Sequence, residues 1–123
     1  MAAPEISAEE FFAGHPDAVP IHDAVRALVE RIGPSQIRVT RSQVAFRRRV
    51  GFAYLWLPGK WLHRPSSEVV LSIALRCPDP SPRFKEVAHP AERVWMHHLE
   101  VRSVEDLDGE VEAWLREAYE SAA

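Results

Sequence analysis

Apolar residues recur every three or four positions near both ends of the chain and closer to every second position between them. The first period is that of an amphipathic helix, and the second is that of a half-buried strand. The predicted order is two helices, five or six strands and a final helix. Because strands do not alternate with helices, we predict an α+β fold, a two-layer sandwich in which an antiparallel sheet of five to six strands carries the N-terminal and C-terminal helices on one face.

Capping and stop signals limit the two N-terminal helices. Ser7 and Glu10 have the spacing of a capping box, which predicts a short helix over residues 7–13. The second helix is predicted to begin between residues 16 and 20 and to stop at Gly33-Pro34, which cannot continue it. Its apolar stripe should pack inward.

The middle of the chain has β-rich runs separated by turn residues. Pro, Gly and Ser predict loops over residues 58–67, which include Trp61 and His63, and over residues 77–82. We predict strands over residues 36–40, 43–49, 52–57, 69–76, 84–88 and 93–102. After the last strand, Ser103 is a predicted N-cap with acids in the first turn, which suits the dipole of a C-terminal amphipathic helix.

The hairpin of the second and third predicted strands decides which side chains share a face. With Val50-Gly51 at its tip, the predicted cross-strand pairs are Arg49 with Phe52, Arg47 with Tyr54, and Ala45 with Trp56. The opposite face is almost wholly apolar, so we expect the helices to cover it. Strand 93–102 should direct Met96, His98 and Glu100 to the open face. A slip of one residue would exchange the two faces.

Charge is sorted along the chain. The 37 residues from Arg31 to Ser67 contain eight bases and no acid, although the formal net charge of the whole chain is −3. Such sorting indicates a surface that attracts anions, whereas the near-neutral total does not favour a general nucleic-acid or membrane binder.

An open sheet face with arginines beside aromatic rings has three interpretations. It is able to hold an anionic small molecule or a nucleic-acid segment by charge and stacking. It is also able to form a homodimer or bind a protein partner, or simply to pack arginine stems over rings with the charged heads in water. From the pattern, the candidate ligand-binding residues are Arg47, Arg49, Tyr54 and Trp56, with Arg41 and His98 beside them.

Chemistry of other kinds has little support in the sequence. The single cysteine, Cys77, has no assigned base, the six histidines lack metal-binding spacing, and the glycines form no phosphate loop. We therefore favour a non-enzymatic binding module without a cofactor or metal. A metal-binding or enzymatic domain, which would have to gather His98, Arg41 and a carboxylate such as Glu100 in one pocket, is the less favoured alternative. The chain also lacks an apolar run of about 18 residues, and we expect one cytoplasmic domain over residues 1–123 with no membrane partner.

Several runs resemble a known family. The segment from Ile37 to Arg49 followed by Phe52-Ala53, the Ser81-Pro82-Arg83 turn, the strand from Trp95 to His98 and the helix around Trp114 are similar to the domain-of-unknown-function family 5655. The resemblance implies no known chemistry. It also implies a distant likeness to small sandwiches of the frataxin-like and MmcQ/YjbR-like kind, and it adds Gln43 and Lys85 to the candidate ligand-binding residues.

Overall fold

The computed structural model describes residues 4–60 and 67–123, and the strands of this part of the chain form one sheet of six strands. The helices are α1 (Ala8–Phe11), α2 (Val19–Ile32) and α3 (Gly109–Ser121). The strands are β1 (Gln36–Val39), β2 (Val44–Arg47), β3 (Gly51–Trp56), β4 (Val69–Leu75), β5 (Phe84–Ala91) and β6 (Val94–Val101). Short 3₁₀ turns lie at Pro16–Ala18, Pro58–Lys60 and Val104–Asp106.

The sheet has the order β1-β2-β3-β4-β6-β5, and all neighbouring strands are antiparallel. Apolar side chains of α2 and α3, such as Val25 and Leu115, join one buried cluster with side chains from the facing side of the strands, such as Leu55 and Ile73. The other side of the sheet carries no helix among the described residues. The predicted α+β fold, with an antiparallel sheet and N- and C-terminal helices, is confirmed.

The central strands show which face the helices cover. Leu55 and Leu57 are buried in the core cluster, whereas Tyr54 and Trp56, which alternate with them, are only half-buried on the opposite side. Period-two alternation from Ala53 to Leu57 therefore holds as predicted. We call the uncovered side of the sheet the open face.

The register of the β2–β3 hairpin differs from the prediction. Ala45 pairs with Tyr54, Phe46 pairs with Ala53 and Arg47 pairs with Gly51, which leaves Phe52 as the extra residue of a β-bulge. The predicted pairs were wrong, by two positions at Ala45 and by three at Arg47. The bulge arises because Phe52 turns into the core, where its ring meets the edge of the Tyr119 ring with centroids 5.5 Å apart.

Because of the bulge, β2 ends at Arg47, and the next two residues form a turn rather than the end of a longer strand. The guanidinium of Arg48 lies over the Tyr119 ring on the helix side, 4.0 Å from its centroid. The backbone N–H of Arg49 donates to the carbonyl of Ala122 over 2.9 Å. The prediction that Arg49 pairs with Phe52 on the open face was therefore wrong.

The loop between β4 and β5 is fixed by Asp79. Its backbone N–H donates to Nε2 of the buried His97 over 2.9 Å, and its carboxylate accepts from Nε1 of Trp114 over 3.1 Å. A second carboxylate oxygen accepts from the N–H of Ser81 over 2.9 Å. One aspartate thus connects the sheet, the loop and α3.

The helix limits agree with the predictions except at α3. Ser7 Oγ accepts from the N–H of Glu10 over 3.1 Å, as the capping-box spacing predicts. Ser103 precedes only a 3₁₀ turn, and α3 begins after Asp108, whose carboxylate accepts from the N–H of Val111 over 3.2 Å. The hydrogen bond from Arg83 lowers the pKa of Asp108, so the cap remains ionised and suits the helix dipole.

Another strand end differs from its predicted position. The fifth predicted strand, 84–88, is longer in the structure and ends at Ala91. Trp61 and His63, predicted to lie in the loop after β3, fall outside the described residues.

We expect Phe52→Ala to lower the free energy of unfolding by about 3 to 5 kcal/mol, the usual cost of removing a buried phenylalanine ring. Val50→Ala is a matched control in the same turn, because Val50 is 53 % exposed; it should change stability by about 0.5 kcal/mol or less. Urea denaturation measures both. Equal losses would contradict the anchoring of the bulge by Phe52.

Candidate ligand site on the open face of the sheet

The open face is built in two levels. One row across the sheet runs through Arg38, Ala45, Tyr54, Ser72, His98 and Glu86. The small residues of this face are covered by their large neighbours, since Ala45 is 4 % exposed, Ser72 3 % and Val70 6 %. Rings and long side chains therefore form an upper level over a floor of small side chains.

A chain of hydrogen bonds lies at the centre of this upper level. The indole Nε1–H of Trp56 donates to Oγ of Ser72 over 2.9 Å, and the same oxygen lies 2.6 Å from Nδ1 of His98. The Trp56 and His98 rings meet edge to face with centroids 6.1 Å apart. Three neighbouring strands, β3, β4 and β6, thus hold two rings in a fixed relation.

Hollows lie on both sides of this pair of rings. The first has a volume of about 380 Å³. It is lined by Ser42, Gln43, Tyr54, Trp56, Ser72, Met96 and His98. A smaller hollow of about 130 Å³ shares Trp56 and His98 with it. A third hollow of about 410 Å³ shares Tyr54 and Met96 but extends past the end of the sheet to Ala118, Ser121 and Ala122 at α3. The first two hollows meet at Trp56 and His98 on the open face, and we call the two together the open-face trough.

Gly51 gives the Tyr54 side chain its place in the trough. The end of the Tyr54 ring lies over the Cα of Gly51, where a Cβ atom would collide with the phenol oxygen. Arg47 is paired with this glycine in the bulged hairpin. The glycine predicted as part of the hairpin tip is thus the residue that lets the ring lie flat along the strand.

The cations of the basic stretch are divided between the two faces. Arg31 binds Glu112 over 2.7 Å, and Arg48 donates to the carbonyl of Tyr119 over 3.0 Å, both on the helix side. Arg38 and Arg47 belong to the open face at the β1–β2 side of the sheet. The sequence pattern therefore overstated how much of this charge reaches the open face.

The structure separates the predicted site residues. Gln43, Tyr54, Trp56 and His98 line the main hollow together. Lys85 lines the smaller hollow. Arg41 lies exposed in the β1–β2 turn and Arg47 is half-buried nearby, whereas Arg49 belongs to the exposed turn. Their role in ligand binding stays a prediction.

Sequence reasoning missed Ser72, and it placed Met96 on the open face without naming it as a site residue. Ser72 is flanked by Leu71 and Ile73, which are wholly buried in the core. A serine that alternates with core residues in a predicted strand must point to the opposite face. That signal was present in the sequence and would have identified the centre of the hydrogen-bond chain.

Acidic groups lie at the β5–β6 side of the open face. Glu100 binds Lys85 over 3.2 Å and Arg102 over 3.4 Å. Burial lowers the pKa of His98, while the carboxylate of Glu86 acts in the opposite direction. His98 is thus held in its neutral form at pH 7.

The described residues contain no group of three or more His, Cys, Asp or Glu side chains that could hold a metal ion. In this same part of the chain, no helix has the length and apolar character needed to cross a membrane.

An antiparallel six-stranded sheet with helices on one side and a lined trough on the other places this chain among small α+β proteins with an open sheet. The chain matches the family described as Domain of unknown function (DUF5655) over residues 8–122 and belongs to it. Neither the curated proteins nor the solved structures gave a match. The family resemblance is therefore confirmed, and the frataxin-like and MmcQ/YjbR-like likeness is not.

We expect His98 to make folding stability depend on pH. Its pKa is lowered in the folded state, so the unfolded chain binds more protons once the pH falls below the ordinary histidine pKa of about 6.5. Stability contributed by the neutral ring should therefore be complete above that pH and be lost toward the lower folded pKa.

Urea denaturation at several pH values between about 7 and 5 measures the slope of the free energy of unfolding against pH. The slope should be shallower in His98→Gln than in the unsubstituted protein, whereas His89→Gln, at an exposed position, is the control for removal of one imidazole. Equal slopes for the protein and His98→Gln would contradict the assignment.

Proposed function

We propose that this protein is a non-enzymatic binding module whose open-face trough takes a small planar ligand carrying an anionic group. The observation that carries the proposal is the pair of rings of Trp56 and His98, both hydrogen-bonded to Ser72. The pair divides two hollows on a sheet face that the described helices leave uncovered. Rings fixed before binding lose little conformational entropy when a ligand stacks on them.

The size and lining of the main hollow support a small ligand. Its volume of about 380 Å³ falls toward the lower end of the usual range for ligand pockets, about 300 to 1,000 Å³. Tyr54 and Trp56 supply aromatic surface, and Gln43 and Ser42 supply polar groups at the rim. Such a mixture of apolar area and a few polar groups is typical of sites for planar molecules.

The distribution of charged side chains favours binding of an anionic group at the β1–β2 side of the open face and not at the β5–β6 side. Arg38 and Arg47 lie on the β1–β2 side of the face, and the turn at that side carries Arg41. On the β5–β6 side, Glu86 and Glu100 line the smaller hollow. A long polyanion crossing the sheet would meet these carboxylates, so a small anion fits the charge distribution better than a nucleic-acid segment.

The chemistry of Ser72 favours binding over catalysis. Ser72 is 3 % exposed, and its hydroxyl already contacts both Trp56 and His98. A nucleophilic serine needs an oxygen that can reach substrate. In this site the serine instead holds two rings in position.

A thermal-shift screen over planar anions, with adenosine monophosphate as one member, tests the proposal. Adenosine, which lacks the anionic group, and inorganic phosphate, which lacks the planar base, are the controls. We expect a planar anion to raise the melting temperature more than either control does, because binding to the folded state stabilises it. The proposal fails if inorganic phosphate alone gives the same shift or if no planar anion gives one.

Two further measurements examine the alternatives of a nucleic-acid surface and a dimer interface. Tighter binding of oligothymidylate than of any mononucleotide, with steep loss in salt, would indicate a nucleic-acid surface. A stable dimer in light scattering that excludes the planar anions would indicate that a second copy covers the face.

Two arginine substitutions separate a local site from overall charge. Arg47→Gln should weaken binding of adenosine monophosphate roughly tenfold, the factor that corresponds to about 1.4 kcal/mol. Arg49→Gln removes the same charge from the exposed turn and should leave affinity nearly unchanged at an ionic strength of about 0.15 M. Calorimetric titration gives both affinities, and equal losses would show that only net charge matters.

A further inference from the structure

We infer that Trp56 and Ser72 hold His98 as the tautomer with its proton on Nε2, so that the open-face trough recognises an anionic oxygen of its ligand through a neutral imidazole N–H. The tautomer is inferred from the hydrogen-bond geometry of the protein without a ligand. The ligand part rests on the proposed function and deepens it by naming the group that His98 would bind.

The direction of the hydrogen-bond chain begins at Trp56. An indole nitrogen can only donate, so the 2.9 Å contact between Nε1 of Trp56 and Oγ of Ser72 makes the serine oxygen an acceptor. This leaves the serine hydroxyl with one hydrogen to donate. The first bond of the chain is therefore assigned without ambiguity.

The only described side-chain partner left for that hydroxyl hydrogen is His98, whose Nδ1 lies 2.6 Å from Oγ. Ser72 is buried at 3 % exposure, and a buried hydroxyl without an acceptor is costly. The hydroxyl therefore donates to Nδ1, which must be unprotonated. In a neutral ring the proton then resides on Nε2.

The Nε2–H group is available to a ligand. His98 lines both the main hollow and the smaller one. Among the described residues, the His98 ring has one hydrogen-bond partner, Ser72, which it contacts through Nδ1. A fixed donor beside the Trp56 ring is suited to a carboxylate or phosphate oxygen attached to a planar group.

Two neighbouring histidines have the opposite assignment and serve as internal references. Nδ1 of His97 lies 2.8 Å from the carbonyl of Trp95, and Nδ1 of His89 lies 2.9 Å from the carbonyl of Val94. A carbonyl can only accept, so both rings carry the proton on Nδ1. Nε2 of His97 accordingly accepts from the N–H of Asp79 over 2.9 Å.

Long-range proton–nitrogen spectra of the histidine rings at pH 8 test the tautomer directly. We expect His98 to show a protonated Nε2 and an unprotonated Nδ1, and His97 and His89 to show the reverse pattern. A protonated Nδ1 in His98 would falsify the inference, whatever ligands the protein binds.

Substitution of Ser72 tests the cause. Ser72→Ala should move the two His98 nitrogen shifts toward the average of the two tautomers, whereas Ser72→Thr retains a hydroxyl and should keep the original pattern. Trp56→Phe offers an independent variant that removes the indole donor and keeps a ring. If Ser72→Ala and Trp56→Phe both leave the His98 pattern unchanged, the hydrogen-bond chain does not set the tautomer.

The same spectra, recorded with adenosine monophosphate or adenosine added, test whether His98 binds the anionic group of the ligand. A shift of His98 Nε2 on addition of the monophosphate, absent with adenosine, supports recognition of the anionic oxygen. Binding of the monophosphate with no change at Nε2 overturns that role while the proposed function stands. Absence of binding by any planar anion in the thermal screen overturns the proposed function, and the tautomer is still decided by the free protein.

Discussion

The burial of Phe52 against Tyr119 is the constraint on which the arrangement of the open face depends. A regular hairpin would send Phe52 to the same side as Tyr54, where its ring would remain in water. The bulge turns the ring into the core and removes two arginines from the strand. Hydrophobic burial thereby outweighs the loss of one regular pair in the ladder, and it also sets which cations can border the trough.

The two faces of the sheet are organised by different forces. On the helix side, apolar side chains from α2, α3 and the strands fill one cluster. On the open face, a hydrogen-bonded chain through Ser72 and an aromatic upper level cover the small residues. Among the described residues no helix covers this face, and the hydrogen bonds to Ser72 keep the rings of Trp56 and His98 in fixed positions on it.

The fold followed from the sequence because alternation is regular from Ala53 onward: Leu55 and Leu57 enter the core and Trp56 does not. The register did not follow, since a bulge depends on where α3 supplies a partner ring, and that contact is distant in sequence. The same limit applies to Arg48, whose place over Tyr119 is set by α3. The candidate site was thus predictable in its aromatic residues and not in the number of its arginines.

Asp79, in the loop between β4 and β5, connects the sheet to the helix layer. Asp79 holds Trp114 of α3 with its carboxylate and His97 of β6 with its backbone N–H. His97 and His98 are consecutive and point to opposite faces of the same strand. A displacement of β6 that moves the His98 ring above the trough would therefore also disturb the contact of His97 with Asp79 beneath the helices, and through Asp79 the contact with Trp114 of α3.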